Sequence, residues 1–100
     1  MAGGDWKEML YAAEKGDVKL VEYHLRMGED PNYRHPEFLT TPLIVAVETN
    51  QYEVAKLLLK HGADPHIRDC FTDLSPVALA KNRDSKELSG LFQNHLRETS

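Results

Sequence analysis

Five histidines and one cysteine are the residues with which this 100-residue chain could hold a metal or carry a reactive group. His61 and His95 stand 34 residues apart. If they occupy equivalent places on packed helices they lie about 8–10 Å from each other. Two ligands of one zinc each sit about 2 Å from the ion, so such a pair is too wide. The segment His61, His66, Asp69, Cys70 is closer together, but its spacing matches no structural zinc pattern. No metal or cofactor is expected. Cys70 has Arg68 as its nearest cation in sequence and no base beside it, so it reads as an ordinary surface or half-buried cysteine.

Nucleophilic chemistry fares no better. Ser75, Thr41 and Asp17 each fall just ahead of an apolar-periodic stretch, where their oxygens serve as helix caps. Neither a Gly-x-Ser-x-Gly turn nor a phosphate-cradling glycine loop occurs. No catalytic residue is assigned, and the chain is not expected to be an enzyme.

The elements that would carry these residues repeat. Shifting the chain by 34 places Gly16–Val21 on Asn50–Ala55 and then on Asp84–Ser89. The same shift places Gly28-Glu29-Asp30-Pro31 on Gly62-Ala63-Asp64-Pro65. Ala12, Ala46 and Ala80 coincide, as do Met9, Leu43 and Val77. Each unit spells two short helices. Asp5, Thr41 and Ser75 are cap types before the first helix, with Pro42 and Pro76 at its first position, where a missing N–H costs nothing. Gly16, Asn50 and Asp84 stand at the left-handed turn between helices, glycine freely and the other two with strain. Asp17 and Ser85 cap the second helices well, and Gln51 poorly. Apolar residues then recur at helical spacing: Leu20, Val21 and Leu25; Val54, Leu57 and Leu58; Leu88, Leu91 and Phe92. Gly28 and Gly62 end two of these helices. Leu96 stands at the corresponding place in the third, as suits a last helix.

Thr41-Pro42-Leu43-Ile44-Val45-Ala46 resembles the T-P-L-H-x-A signature of the ankyrin repeat, with Ile44 in place of histidine. The resemblance extends over about residues 5–96 and is most regular in the middle unit. It implies an all-α solenoid of three helix-turn-helix units joined by extended hairpin-like loops. The expected division is one domain over 1–100, with repeats at about 5–37, 38–71 and 72–98. Departures are a missing hairpin glycine, absent histidines at 44 and 78, and loop tips one residue longer than the usual period of about 33. Gln93, Ser89, Gly90, Asn94, Arg97 and Glu98 give the third unit a polar outer end, as a terminal repeat requires.

The same resemblance implies a non-catalytic module that binds a partner protein through loop tips and the concave face of the first helices. Carried onto this chain, the tips supply Tyr33, Arg34, His35, Glu37, Phe38 and Leu39, then Ile67, Arg68, Asp69, Phe71, Thr72 and Asp73. The first helices supply Glu14, Lys15, Glu48, Thr49, Asn82 and Arg83. Phe38 and Phe71 beside charged residues have the composition of interface anchors; the competing role is to fold back and close the gap between tips. His24, aligned with core residue Leu58, reads either as a polar contact at the stack's edge or as a ring packed on Trp6 or Tyr23 where cover is half complete. A second functional class uses the same surface: a small inhibitor or immunity-type regulator that blocks an enzyme's active site with Glu14, Glu48, Asp69 and Asp73.

The net charge of −4 is mild and spread evenly over the three units. Without a lysine or arginine run, a nucleic-acid partner is not expected. The start lacks the basic-then-apolar pattern of a secretory signal, and no apolar run spans a bilayer. With a single cysteine, the expectation is a cytoplasmic monomer that does not engage membranes.

Overall fold

The computed structural model describes residues 6–34 and 37–99, without the side chains of Trp6 and Thr99. Six helices follow one another: α1 Trp6–Lys15, α2 Val18–Arg26, α3 Pro42–Glu48, α4 Tyr52–Lys60, α5 Pro76–Asn82 and α6 Lys86–Thr99. They form three antiparallel pairs in two layers. First helices α1, α3 and α5 lie side by side, second helices α2, α4 and α6 do likewise, and each pair packs on its neighbour. No strand occurs among the described residues.

Helix starts follow the side-chain chemistry. Thr41 Oγ1 accepts from the Ile44 amide at 3.5 Å and Ser75 Oγ from the Ala78 amide at 3.1 Å, each just before a proline at the first helical position. Asp17 accepts from Leu20 N at 3.2 Å, and Ser85 Oγ from Leu88 N at 3.3 Å. Asp5, expected to cap α1, lies outside the described residues. Gln51 makes no cap bond to its own helix. Its Nε2 instead crosses to the preceding unit and donates to the Glu14 carbonyl at 3.0 Å, satisfying an otherwise orphaned acceptor at the end of α1.

Each turn between paired helices passes through a left-handed residue: Gly16 at φ 79°, Asn50 at 58° and Asp84 at 59°. The expected left-handed column is therefore present in all three units. Leu39 and Asp73, also 34 residues apart, take φ 56° and 59°. They occupy the hairpin position from which glycine is missing, so the backbone keeps its path with non-glycine residues.

The core is one continuous cluster. Met9 and Ala12 from α1, Val21 and Leu25 from α2, Leu43, Ile44 and Val47 from α3, Val54 and Leu58 from α4, Leu79 from α5, and Leu88 and Phe92 from α6 are all buried. Full burial of a side chain of this size contributes about 1.5–3 kcal/mol. Ala12, Ala46 and Ala80 are buried to 3%, 0% and 0% exposure, allowing close helix approach at the same place in each unit. His24 departs from the half-covered expectation: it is 1% exposed and its Nε2 donates to Glu8 Oε1 at 2.9 Å. Its ring also meets Tyr23 edge-on at 5.4 Å.

Candidate protein-interaction face

Extended arms leave the second helices through Asp-Pro. Asp30 Oδ1 accepts from Asn32 N at 2.9 Å and Asp64 Oδ1 from His66 N at 2.8 Å, so each arm opens with the same local turn. Asn32 then holds the next unit. Its Nδ2 donates to the Gly62 carbonyl at 3.0 Å, and its Oδ1 accepts from Asp64 N at 2.7 Å. Successive arms are thereby set side by side and present their tips in one row.

The second tip is closed by its own side chains. Asp69 N donates to the Leu74 carbonyl and Asp73 N to the Asp69 carbonyl, both at 2.8 Å. Asp69 Oδ2 accepts from Thr72 N at 3.1 Å and from Thr72 Oγ1 at 3.0 Å. Asp69 was expected to be an exposed tip residue; at 3% exposure its carboxylate is instead turned into the loop. Arg68 and Asp73 form an exposed pair at 3.3 Å. Phe71 projects from this braced loop with 76% of its surface exposed.

Arg34 joins the two tips. Its Nη1 lies 3.3 Å from Cys70 Sγ and its Nη2 donates to the Arg68 carbonyl. Arg34, from the neighbouring tip, thus brings a cation onto the exposed Cys70. Tyr33 is exposed, Ile67 is half-buried, and Glu37 is exposed. His35 lies outside the described residues.

Phe38 and Phe71 part company. Phe38 is half-buried and folds toward α1, where Lys7 Nζ stands 5.6 Å above its ring. It lines a groove of about 220 Å³ with Lys7, Leu10, Tyr11 and Glu14 of α1, Thr40, and Val45, Glu48 and Thr49. Thr49 Oγ1 donates to the Val45 carbonyl at 2.8 Å and is committed to its helix end. Lys15 does not line this groove but an adjoining one with Glu8, Ala12, Asp17 and Leu20, and Tyr11 borders both. Asn82 and Arg83 are exposed at the end of α5.

Desolvation by its surroundings holds the Glu48 carboxyl above the usual carboxylate range; the like charge of Asp69 adds to this and Arg83 opposes it. Among the described residues, no group of three or more His, Cys, Asp or Glu side chains is placed to hold a metal ion, the His61–Cys70 segment included. Sequence reasoning missed Tyr11, Leu10 and Val45 as groove residues. Their signal was available: Tyr11 stands 34 residues before Val45, at the same place in its unit, and three residues before Glu14 on a helix expected to face the groove.

Paired helices stacked in register with projecting tips define a helical-repeat solenoid, a class built to present an extended surface. The family model for ankyrin repeats in three copies matches residues 5–86, and the chain belongs to the ankyrin-repeat family. The 2-5A-dependent ribonuclease of Mus musculus is 41% identical over 64 residues, covering 64% of this chain and 9% of the ribonuclease. Human ankyrin repeat and SOCS box protein 6 is 35% identical over 78 residues, covering 78% of this chain and 18% of the relative. Human transient receptor potential cation channel subfamily A member 1 is 33% identical over 86 residues, covering 85% and 8%. The chain therefore spans less than a fifth of the length of these relatives. Ankyrin repeats generally mediate protein–protein interaction and are typically not themselves catalytic, whatever else shares their chain. Among the described residues no helix is long and apolar enough to cross a membrane.

Proposed function

We propose that this chain is a non-catalytic, cytoplasmic interaction module, monomeric by itself, that binds one partner protein through its two tips and the concave groove. The observation that carries this reading is Phe71, a 76% exposed aromatic on a loop braced by the buried Asp69 and by Arg34. A large apolar ring held out on a rigid support loses little entropy on binding and gains the burial of its face. The alternative, occlusion of an enzyme's active site by four acids, draws less support. Asp69 is spent inside its tip and Asp73 is paired with Arg68, which leaves Glu14 and Glu48.

Affinity capture from the native cell, with Phe71→Ala as the control bait, tests the reading. The variant is expected to lose the captured partner, with a decrease in affinity of about tenfold or more, while its thermal midpoint stays within about 1 °C of the parent. Partner capture unchanged in Phe71→Ala would refute the assignment of the second tip.

A further inference from the structure

The groove between α1 and α3 is polarised along its length. Lys7 stands at one end, over the face of Phe38. Leu10, Tyr11 and Val45 form the middle, and Glu14 and Glu48 stand at the other end. Seven residues separate Lys7 from Glu14, a run of about 10 Å along a helix, enough for one long side chain laid lengthwise.

The acidic end is negative for two reasons. Glu14 and Glu48 both lie in the last turns of α1 and α3, where aligned peptide dipoles favour a cation. Among the described residues neither carboxylate belongs to a salt bridge. Lys15, the nearest cation in sequence, lines the adjoining groove and not this one, with Tyr11 common to both. Glu48 is further pressed by desolvation and by the Asp69 charge, which raise its proton affinity and which Arg83 only partly opposes.

We propose that this groove accepts the side chain of an arginine or lysine from an extended segment of the partner protein. The aliphatic stem lies along Leu10, Tyr11 and Val45, and the charged head sits between Glu14 and Glu48. Such side chains bury their methylenes on apolar surface while the head stays with its counter-charges. The ring of Tyr11 adds a cation–π contribution, and the Lys7–Phe38 contact shows that an aromatic face of this groove takes a cation. The inference rests on the interaction-module reading and specifies the chemistry of what enters one part of its surface.

Blocked tripeptides, acetyl-Gly-Xaa-Gly-amide with arginine, lysine, norleucine or glutamate at the centre, test it by two-dimensional amide NMR of the full chain. The arginine and lysine peptides are expected to shift signals of residues 10–15 and 45–50 saturably, with affinity falling as salt is raised. Norleucine, which keeps the stem without the charge, is expected to bind about tenfold more weakly, and glutamate not at all. The double variant Glu14→Gln, Glu48→Gln is expected to lose about tenfold for arginine while its remaining spectrum overlays that of the parent. Equal binding of norleucine and arginine, an unaffected double variant, or shifts confined to other faces would overturn the proposal. Silent groove signals alongside a partner that still needs Phe71 would sink the cation site and leave the interaction module standing.

Discussion

A buried histidine in the first unit occupies a place that leucine and phenylalanine fill in the others. His24, Leu58 and Phe92 are equivalent, and all three are buried. Glu8 satisfies Nε2, but Nδ1 is buried without a hydrogen-bond partner. An unsatisfied buried polar atom costs about 1–3 kcal/mol. His24→Leu, which restores the apolar residue of the middle unit and leaves only the largely exposed Glu8 unpaired, is therefore expected to raise stability by about 1 kcal/mol in urea unfolding. His24→Ala, leaving a cavity, is expected to lower it by about 2 kcal/mol. If leucine destabilises as much as alanine, the Glu8 bond outweighs the orphaned nitrogen. Glu48 makes a second prediction at this scale. Its carboxyl is held above its usual range, so the folded state binds the proton more tightly than the unfolded chain. The stability this contributes is full below the unfolded value and is lost as pH rises through the folded one. Glu48→Gln should accordingly raise the thermal midpoint near pH 7 and leave it unchanged below about pH 4. An increase that is the same at both pH values would point to the amide's own contacts instead.

At the scale of the elements, two glycines set opposite limits. Gly90 lies inside α6, and a Cβ added there meets nothing within 4 Å. Gly90→Ala is expected to stabilise by about 0.5–1 kcal/mol through helix propensity alone. Gly16 has φ 79°, and its added Cβ would come within 2.4 Å of Gln51 Oε1. Gly16→Ala is expected to cost about 1–3 kcal/mol, because it strains the turn and pushes away the side chain that caps the Glu14 carbonyl. Denaturant unfolding of both variants measures the contrast. The helices and their ends were legible in the sequence because their causes are local: Thr41-Pro42, Ser75-Pro76, Gly28 and Gly62 each act within one turn. The left-handed column at 16, 50 and 84 was legible for the same reason. What could not be read were side chains whose partner lies in another unit. Gln51 is the poor cap of its own helix that it looks to be, but only Glu14 placed beside it shows what its amide does instead. Arg34 looks like a free tip charge until the Arg68 carbonyl and Cys70 come within its reach. Asp69 looks exposed until Thr72 folds its hydroxyl back onto it. Phe38 and Phe71 have alike neighbours in sequence, and only the presence of α1 beside one of them separates a groove wall from a projecting anchor.

The whole molecule stacks each unit on the next, with side-chain bridges reinforcing the helix contacts. Asn32 clamps the turn at Gly62–Asp64, Gln51 reaches α1, and Ser85 Oγ donates to Asn50 Oδ1 at 3.4 Å. These bridges hold the two tips and the first-helix face in one frame, so that a partner meets a preformed surface. Its two rims differ: a braced aromatic tip on one side, an apolar groove with an acidic end on the other. Hydrogen exchange of the backbone amides, with and without the captured partner, tests that surface most directly. The account predicts added protection at residues 10–15, 37–40, 45–50 and 68–73, with the second helices α2, α4 and α6 unchanged. Protection that falls instead on those second helices, leaving the tips and the α1–α3 groove as they were, would contradict it.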